Sequence, residues 1–175
     1  CIRDSYKTMQ MVFQTPADSF DPRRTLGDGI GESLRNAGLS RKETREKVEA
    51  LLKDCGLPPE YAGRYPHQVS GGQCQRAAIA RALAIAPRLL ICDEITSALD
   101  VTVQKEILEL LNTLRTQQGR DLSILFICHD ISLVQQFCDR VLVMYHGEVV
   151  EEGTPDEVIR DPKNDYTKRL IDSVL

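Results

Sequence analysis

The sequence predicts an α/β fold built on a parallel sheet. Three observations carry that prediction. From residue 70 to residue 128, helix-length and strand-length segments alternate. The two strand segments, 89–93 and 122–128, are almost wholly apolar and lack polar alternation, so both are expected to be buried on two faces. A strand–helix–strand order of this kind closes through a right-handed crossover between parallel strands.

Each element has its own signal. Residues 8–14 form a short strand, followed by a loop over 15–24 rich in Pro, Asp, Ser and Arg. A helix spans 25–37. Ser40 and Glu43 form a capping box ahead of a helix over 41–53, which Gly56 and Pro58 stop. Residues 57–69 carry Pro58, Pro59 and Pro66 and read as a connector. Ser70 caps a helix over 71–86 that Pro87 ends. Asp100 caps a helix over 101–118, whose stripe is Val103, Ile107, Leu110, Leu111 and Leu114. A short helix covers 131–138. Residues 141–145 and 148–151 flank His146-Gly147 as a hairpin at the sheet edge. Thr154, Pro155 and Glu157 open a helix to about residue 160, and a last helix covers 166–174.

Composition narrows the function. The 175 residues suffice for one domain with a core. The net charge is −4, whereas a protein that coats nucleic acid is usually basic, so no nucleic-acid partner is expected. No apolar run approaches the ~18 residues of a membrane span. No signal peptide opens the chain, and its first residue is Cys1, so a piece of a longer protein is expected. The six cysteines, at 1, 55, 74, 92, 128 and 138, form no C-x-x-C pair and are expected to be reduced, cytosolic and free of metal.

Five constellations are able to carry chemistry. The strand 89–93 delivers Asp93 and Glu94 at its carboxyl end, where open α/β sheets bind ligands. Asp93 suits a hard cation such as Mg²⁺, and Glu94 suits the activation of water against a phosphate. The plain alternative is a pair of solvated acids. Ser70, Gly71, Gly72 and Gln73 precede a helix, so free N–H groups and a positive dipole end face an anion; a Ser-capped glycine turn is the plain alternative. His129 follows the strand 122–128 and would project near Glu94 if the two strands are neighbours. Gln14 ends the first strand, and its amide is able to bond a metal-bound water. Ser97-Ala98-Leu99-Asp100 is a tight loop whose plain reading is a helix cap.

In order and spacing these motifs closely resemble the ATPase subunit of ABC transporters, over nearly the whole chain. The resemblance implies a P-loop NTPase-like α/β core, present in part, with an α-helical subdomain. It divides the chain into 1–14, the end of a core strand with the Q-loop glutamine; 15–69, the Q-loop and helical subdomain; 70–153, the core; and 154–175, C-terminal helices. Catalytic roles fall to Glu94, His129 and Gln14. Nucleotide contacts fall to Ser70, Gly71, Gly72, Gln73 and Asp100, and metal contacts to Asp93 and Gln14. ATP and Mg²⁺ are the implied cofactors. The implied partners are a second ATPase subunit in a head-to-tail dimer and a membrane permease contacted through 15–66, which places the protein at the cytoplasmic face of the inner membrane. Phe13-Gln14-Thr15-Pro16, Asp21-Pro22-Arg23, Arg64-Tyr65-Pro66-His67 and Asp165-Tyr166-Thr167 resemble the dipeptide, oligopeptide and nickel importers within that family. Val69, Cys74, Ile95 and Asn164-Asp165 depart from the common family wording.

The sequence contains no G-x-x-x-x-G-K-[ST], the segment that cradles phosphates. A helix N-terminus contributes about 0.3–1 kcal/mol toward an anion. Even millimolar affinity needs about 4 kcal/mol. These 175 residues alone are therefore expected to bind ATP very weakly and to hydrolyse none. Two rival readings remain: an ABC ATPase outside transport, and a non-catalytic partner that offers only the Ser70–Gln73 face.

Overall fold

A computed structural model describes residues 8–117 and 121–173. The chain divides into two compact units, one ending at Ile127 and the other beginning at Cys128.

The first unit is built on a parallel sheet of β1 (Met9–Val12), β2 (Leu89–Asp93) and β3 (Ser123–Ile127), in the order β1-β2-β3. Val12 pairs with Cys92, and Asp93 with Ile127. The carboxyl ends of the three strands therefore lie at one level. Three helices separate β1 from β2: α1 (Leu26–Asn36), α2 (Arg41–Asp54) and α3 (Gly71–Leu83). One helix, α4 (Val101–Thr116), links β2 to β3.

The expected Ser40 cap forms, and Thr25, read as the first helical residue, instead caps α1. Thr25 Oγ1 accepts from the Asp28 N–H, and Ser40 with Glu43 closes a capping box. Leu26, Ile30 and Leu34 of α1 are buried, as are Val48 and Leu52 of α2 and Ala77, Ile79, Ala80 and Leu83 of α3. The loop over 15–24 holds a 3-10 turn, Pro16–Ser19, tied to α3 by the Arg81 guanidinium donating to the Ser19 carbonyl. The connector over 57–69 holds two more such turns, Pro59–Gly63 and Pro66–Gln68.

Three expectations change. The helix read as 71–86 ends at Leu83; Ala86 has φ +51°, and Pro87 disfavours a helical residue before it. The helix read as 101–118 ends at Thr116, and Gln118 lies outside the described residues. Of the two strands read as buried on both faces, β2 buries only its Leu90 and Cys92 side and β3 neither side: Leu125 is 43% exposed and Ile127 44%. Pairing puts Met9, Leu89 and Ser123 on one face, and Met11, Ile91 and Leu125 with them. That face exposes Met9, Met11, Leu125 and Ile127, whereas the face of Val12, Leu90 and Cys92 is buried. An apolar strand is able to bury both faces, but only the elements packed on it decide which face is covered.

The second unit begins with α5 (Ile131–Phe137), capped by Asp130. A hairpin of β4 (Val141–Tyr145) and β5 (Glu148–Gly153) follows, as a two-stranded sheet of its own rather than an edge of the first. His146 and Gly147 both take positive φ, the backbone of a two-residue turn matched to strand twist. Thr154 and Glu157 close the capping box of α6 (Pro155–Arg160), and Asn164 caps α7 (Asp165–Asp172). The Glu151 carboxylate accepts the N–H groups of Lys163 and Asn164, which joins β5 to the entry of α7. Val174, the expected end of the last helix, lies outside the described residues. Among the described residues no helix is long and apolar enough to cross a membrane.

Candidate functional site

Apolar β2 ends in Asp93 and Glu94, and the chain turns there at once. Glu94 has φ +49°, a left-handed backbone that side chains rarely adopt. Such a residue costs on the order of 1–3 kcal/mol and persists only where its surroundings hold it. Here they do. The Glu94 N–H donates to the Ile127 carbonyl at 2.9 Å. Its own carbonyl accepts from the Ser97 N–H at 3.1 Å and from Ser97 Oγ at 2.9 Å. From α4, Gln104 Nε2 donates to the Thr96 carbonyl at 2.8 Å. Ile95 and Thr96 are buried, so the loop is packed as well as bonded.

Gln14 arrives from the carboxyl end of β1, beside β2. Its Nε2 donates to Ser97 Oγ at 2.9 Å, across 83 residues of sequence. The structure thus joins Gln14 to the loop of Asp93 and Glu94 through Ser97. Sequence reading placed Ser97 only as a member of the tight loop Ser97–Asp100, the D-loop of the resembling family, and no local signal pairs it with Gln14. The Asp93 carboxylate and the Gln14 side-chain oxygen are hard oxygen donors, which is the donor chemistry Mg²⁺ takes.

At the start of α3, Ser70 Oγ accepts from the Gln73 N–H at 3.3 Å, and Gln73 Oε1 accepts from the Ser70 N–H at 2.9 Å. This capping box uses the acceptors of both side chains. It leaves the Ser70 hydroxyl proton and the Gln73 Nε2 protons to give, so this helix end presents donors, as an anion requires. Gly72 sits hard against α4: a Cβ there would stand 2.6 Å from Val103 Cγ1. Gly71 faces Leu99, with a Cβ position 3.8 Å from Leu99 Cδ2. The Ser70–Gln73 segment therefore rests on the segment Leu99–Val103. Arg76, one turn on, bonds the Cys55 carbonyl at 3.1 Å and Glu106 at 2.9 Å, so α3 is pinned to α2 and α4 together.

Asp100 acts as the cap of α4, its Oδ1 accepting from Thr102 and Val103 N–H groups at 3.1 and 3.0 Å. His129 belongs to the second unit, one residue ahead of the Asp130 cap. The Ser132 hydroxyl bonded to Asp130 holds that carboxyl below its ordinary range, and the charge of His129 adds to the effect. Of the expected residues, Gln14, Glu94 and Asp93 meet in one place, and Ser70–Gln73 is seated on the neighbouring helix.

Cys74 and Cys92 are buried and carry free thiols. Burial pushes the Cys92 thiol up to about 12, so it behaves as a small core residue. Cys1 lies outside the described residues.

A cleft of about 320 Å³ opens between β1, α1 and α3. Phe13, Gly29, Glu32, Ser33, Asn36 and Arg81 line it. Ser33 Oγ is buried there and has no hydrogen-bond partner among the described residues.

Known proteins resemble this chain in sequence and in fold. The sequence profile of the ABC transporter family matches residues 1–97. The oligopeptide transport ATP-binding protein OppF of Salmonella typhimurium is 48% identical over 174 residues, covering 98% of this chain and 52% of that protein. The di/tripeptide transport ATP-binding protein DppF of Pseudomonas aeruginosa is 45% identical over 170 residues, covering 97% and 52%. The chain thus spans about half the length of these curated relatives. Among solved structures, cbiO1 of Clostridium perfringens, part of the ABC transporter complex cbiONQ, superposes with a TM-score of 0.80 at 32% identity, covering 91% of this chain and 62% of that one. The ATP-binding cassette MJ0796, a dimer bound to ADP and Pi, superposes with a TM-score of 0.75 at 30% identity, covering 88% and 66%.

Proposed function

We propose a role for this chain from one premise: it belongs to the ABC transporter family. In this reading it is the main part of an ATP-hydrolysing subunit that powers the import of peptides. The observation that carries the reading is the junction of Gln14, Ser97 and Glu94 at the carboxyl ends of two adjacent parallel strands. Ligands sit at that edge in open α/β sheets.

The residues divide the work. Asp93 and the Gln14 oxygen hold Mg²⁺, which when bound screens phosphate charge. Glu94, whose left-handed backbone is held by Ile127 and Ser97, accepts the proton of the attacking water. His129 and Gln14 read the terminal phosphate. Ser70, Gly71, Gly72 and Gln73 offer N–H, hydroxyl and amide donors to the nucleotide of a second subunit in a head-to-tail dimer, and Asp100 keeps the neighbouring loop in register. The net charge of −4 leaves local donors as the source of anion affinity.

The permease docks through 15–66, at the cleft beside Phe13. The buried Ser33 hydroxyl in its wall supports a partner there, because an unpaired buried polar atom is costly until something bonds it. The peptide class of cargo rests on similarity to the oligopeptide and di/tripeptide transport proteins.

In the full-length protein, Glu94→Gln is expected to keep ATP binding and lower turnover by roughly 10²–10⁴-fold, the usual contribution of a general base. Unchanged turnover overturns the role of Glu94. A second reading has one observation behind it: no G-x-x-x-x-G-K-[ST] occurs in these 175 residues. By themselves they then act as a non-catalytic module offering the Ser70–Gln73 face, and micromolar ATP affinity of the isolated chain by calorimetry would refute that.

A further inference from the structure

The Ser97 hydroxyl carries one proton and stands between two groups. The Glu94 carbonyl can only accept, at 2.9 Å, so the proton lies on that side. Gln14 must then donate, and its Nε2 is the atom 2.9 Å from Ser97 Oγ. This inventory fixes the orientation of the Gln14 amide: nitrogen toward Ser97, side-chain oxygen away from it.

We propose that Ser97 is a positioning residue that sets Gln14 and Glu94 together, orienting the oxygen of one and the strained backbone of the other through a single hydroxyl. The inference rests on the proposed ATPase reading only for its consequence, not for its geometry. Three anchors make Ser97 a stiff bridge. Its N–H and its Oγ both hold the Glu94 carbonyl. Gln104 braces the preceding Thr96 carbonyl from α4. On the far side, Gln14 leads within two residues into the 3-10 turn Pro16–Ser19, whose last carbonyl Arg81 of α3 holds. A displacement of that turn therefore reaches Gln14 first, Ser97 next and the Glu94 backbone last. An alanine at 97 keeps the N–H bond to Glu94 and removes both hydroxyl bonds, so Gln14 loses its orienting partner.

The test uses the full-length protein and two readouts. Hydrogen exchange of peptides spanning residues 13–19 is measured without nucleotide. ATP turnover is measured as kcat and KM separately. In Ser97→Ala, local exchange is expected to rise about 2–10-fold, the equivalent of one lost neutral hydrogen bond. kcat is expected to fall about 10-fold with KM for ATP within twofold, since positioning acts on the reacting state and not on ground-state binding. Ser97→Thr keeps a hydroxyl and is expected to restore both values. Gln14→Ala cuts the same link from its other end, so the exchange effects of the two alanine changes are expected not to add. Wild-type exchange in Ser97→Ala overturns the bridge, as does full additivity in the double variant. Raised exchange with unchanged kcat overturns the positioning role. If Glu94→Gln turns over normally, the catalytic reading fails while the exchange cycle still decides the Ser97–Gln14 link.

Discussion

Two loops at the same end of the first unit are held in opposite ways. Ser70–Gln73 is fixed by its own neighbours in sequence, through a capping box three residues long. Glu94–Ser97 closes on itself through Ser97 and the Glu94 carbonyl, but it is also held from outside by Gln14, Gln104 and Ile127. The first forms wherever its helix forms. The second exists only once β1, β3 and α4 have assembled around it, and only then does Glu94 hold its left-handed backbone. The loop that carries the proposed chemistry is thus the one that local sequence cannot build.

The comparison has one point at which it should break. Ser70–Gln73 has a single tight long-range contact, Gly72 against Val103. A Cβ at 72 would lie 2.6 Å from Val103 Cγ1, so one of the two helices must shift. Gly72→Ala is expected to cost on the order of 1–3 kcal/mol of stability, the range for overpacking. Val103→Ala removes the obstructing methyl, and Gly72→Ala with Val103→Ala is expected to recover most of that loss. Urea midpoints of the four proteins give the coupling. Strict additivity would show that the glycine is there for the backbone alone.

A smaller pair of changes sharpens the contrast between local and distant support. Ser70→Ala removes a side-chain cap and is expected to cost about 1 kcal/mol. Gln104→Ala removes one brace of the Glu94–Ser97 loop and is expected to cost about 0.5–1.5 kcal/mol. The magnitudes overlap, but the places differ. Hydrogen exchange should rise at the first turn of α3 in Ser70→Ala, and at residues 94–97 and 14 together in Gln104→Ala. A rise confined to α4 in the second variant would break the claim that the loop and Gln14 are one unit.

The same division explains what the sequence disclosed. Ser40 with Glu43, Ser70 with Gln73 and Thr154 with Glu157 are legible because both members of each box lie in one turn of helix. The strands β2 and β3 are legible because runs of four apolar residues in each suit a parallel sheet. Local pattern made Gln14, Glu94 and His129 candidates, and family resemblance supplied their roles. What stayed hidden was relational. The exposure of Leu125 and Ile127 depends on what packs against one face of β3. The early end of α3 depends on the backbone at Ala86. The role of Ser97 depends on a side chain 83 positions away. The sequence names the groups, and only the packed sheet brings them within bonding distance.

The last difference is one of charge, and its effect is the smallest. Three capping boxes share one geometry, but two close with glutamate and one with glutamine. The Ser40 side chain and backbone hold the Glu43 carboxyl below the ordinary glutamate range, and the Thr154 backbone and hydroxyl do the same for Glu157. A carboxyl whose folded pKa is depressed stabilises the fold above its unfolded value and loses that contribution as the pH falls through its folded value. The caps of α2 and α6 therefore weaken as the pH drops below the ordinary glutamate value. Gln73 has no proton to gain, so the start of α3 keeps its cap over the same range. Glu43→Gln preserves the acceptor oxygen and removes the titration, and Gln73→Glu does the reverse. Between pH 5 and pH 3 the urea midpoint is expected to fall less in Glu43→Gln than in wild type, and more in Gln73→Glu. If Gln73→Glu shows the wild-type slope, the capping carboxylate at that position is not held below its ordinary range, and the three boxes differ in more than charge.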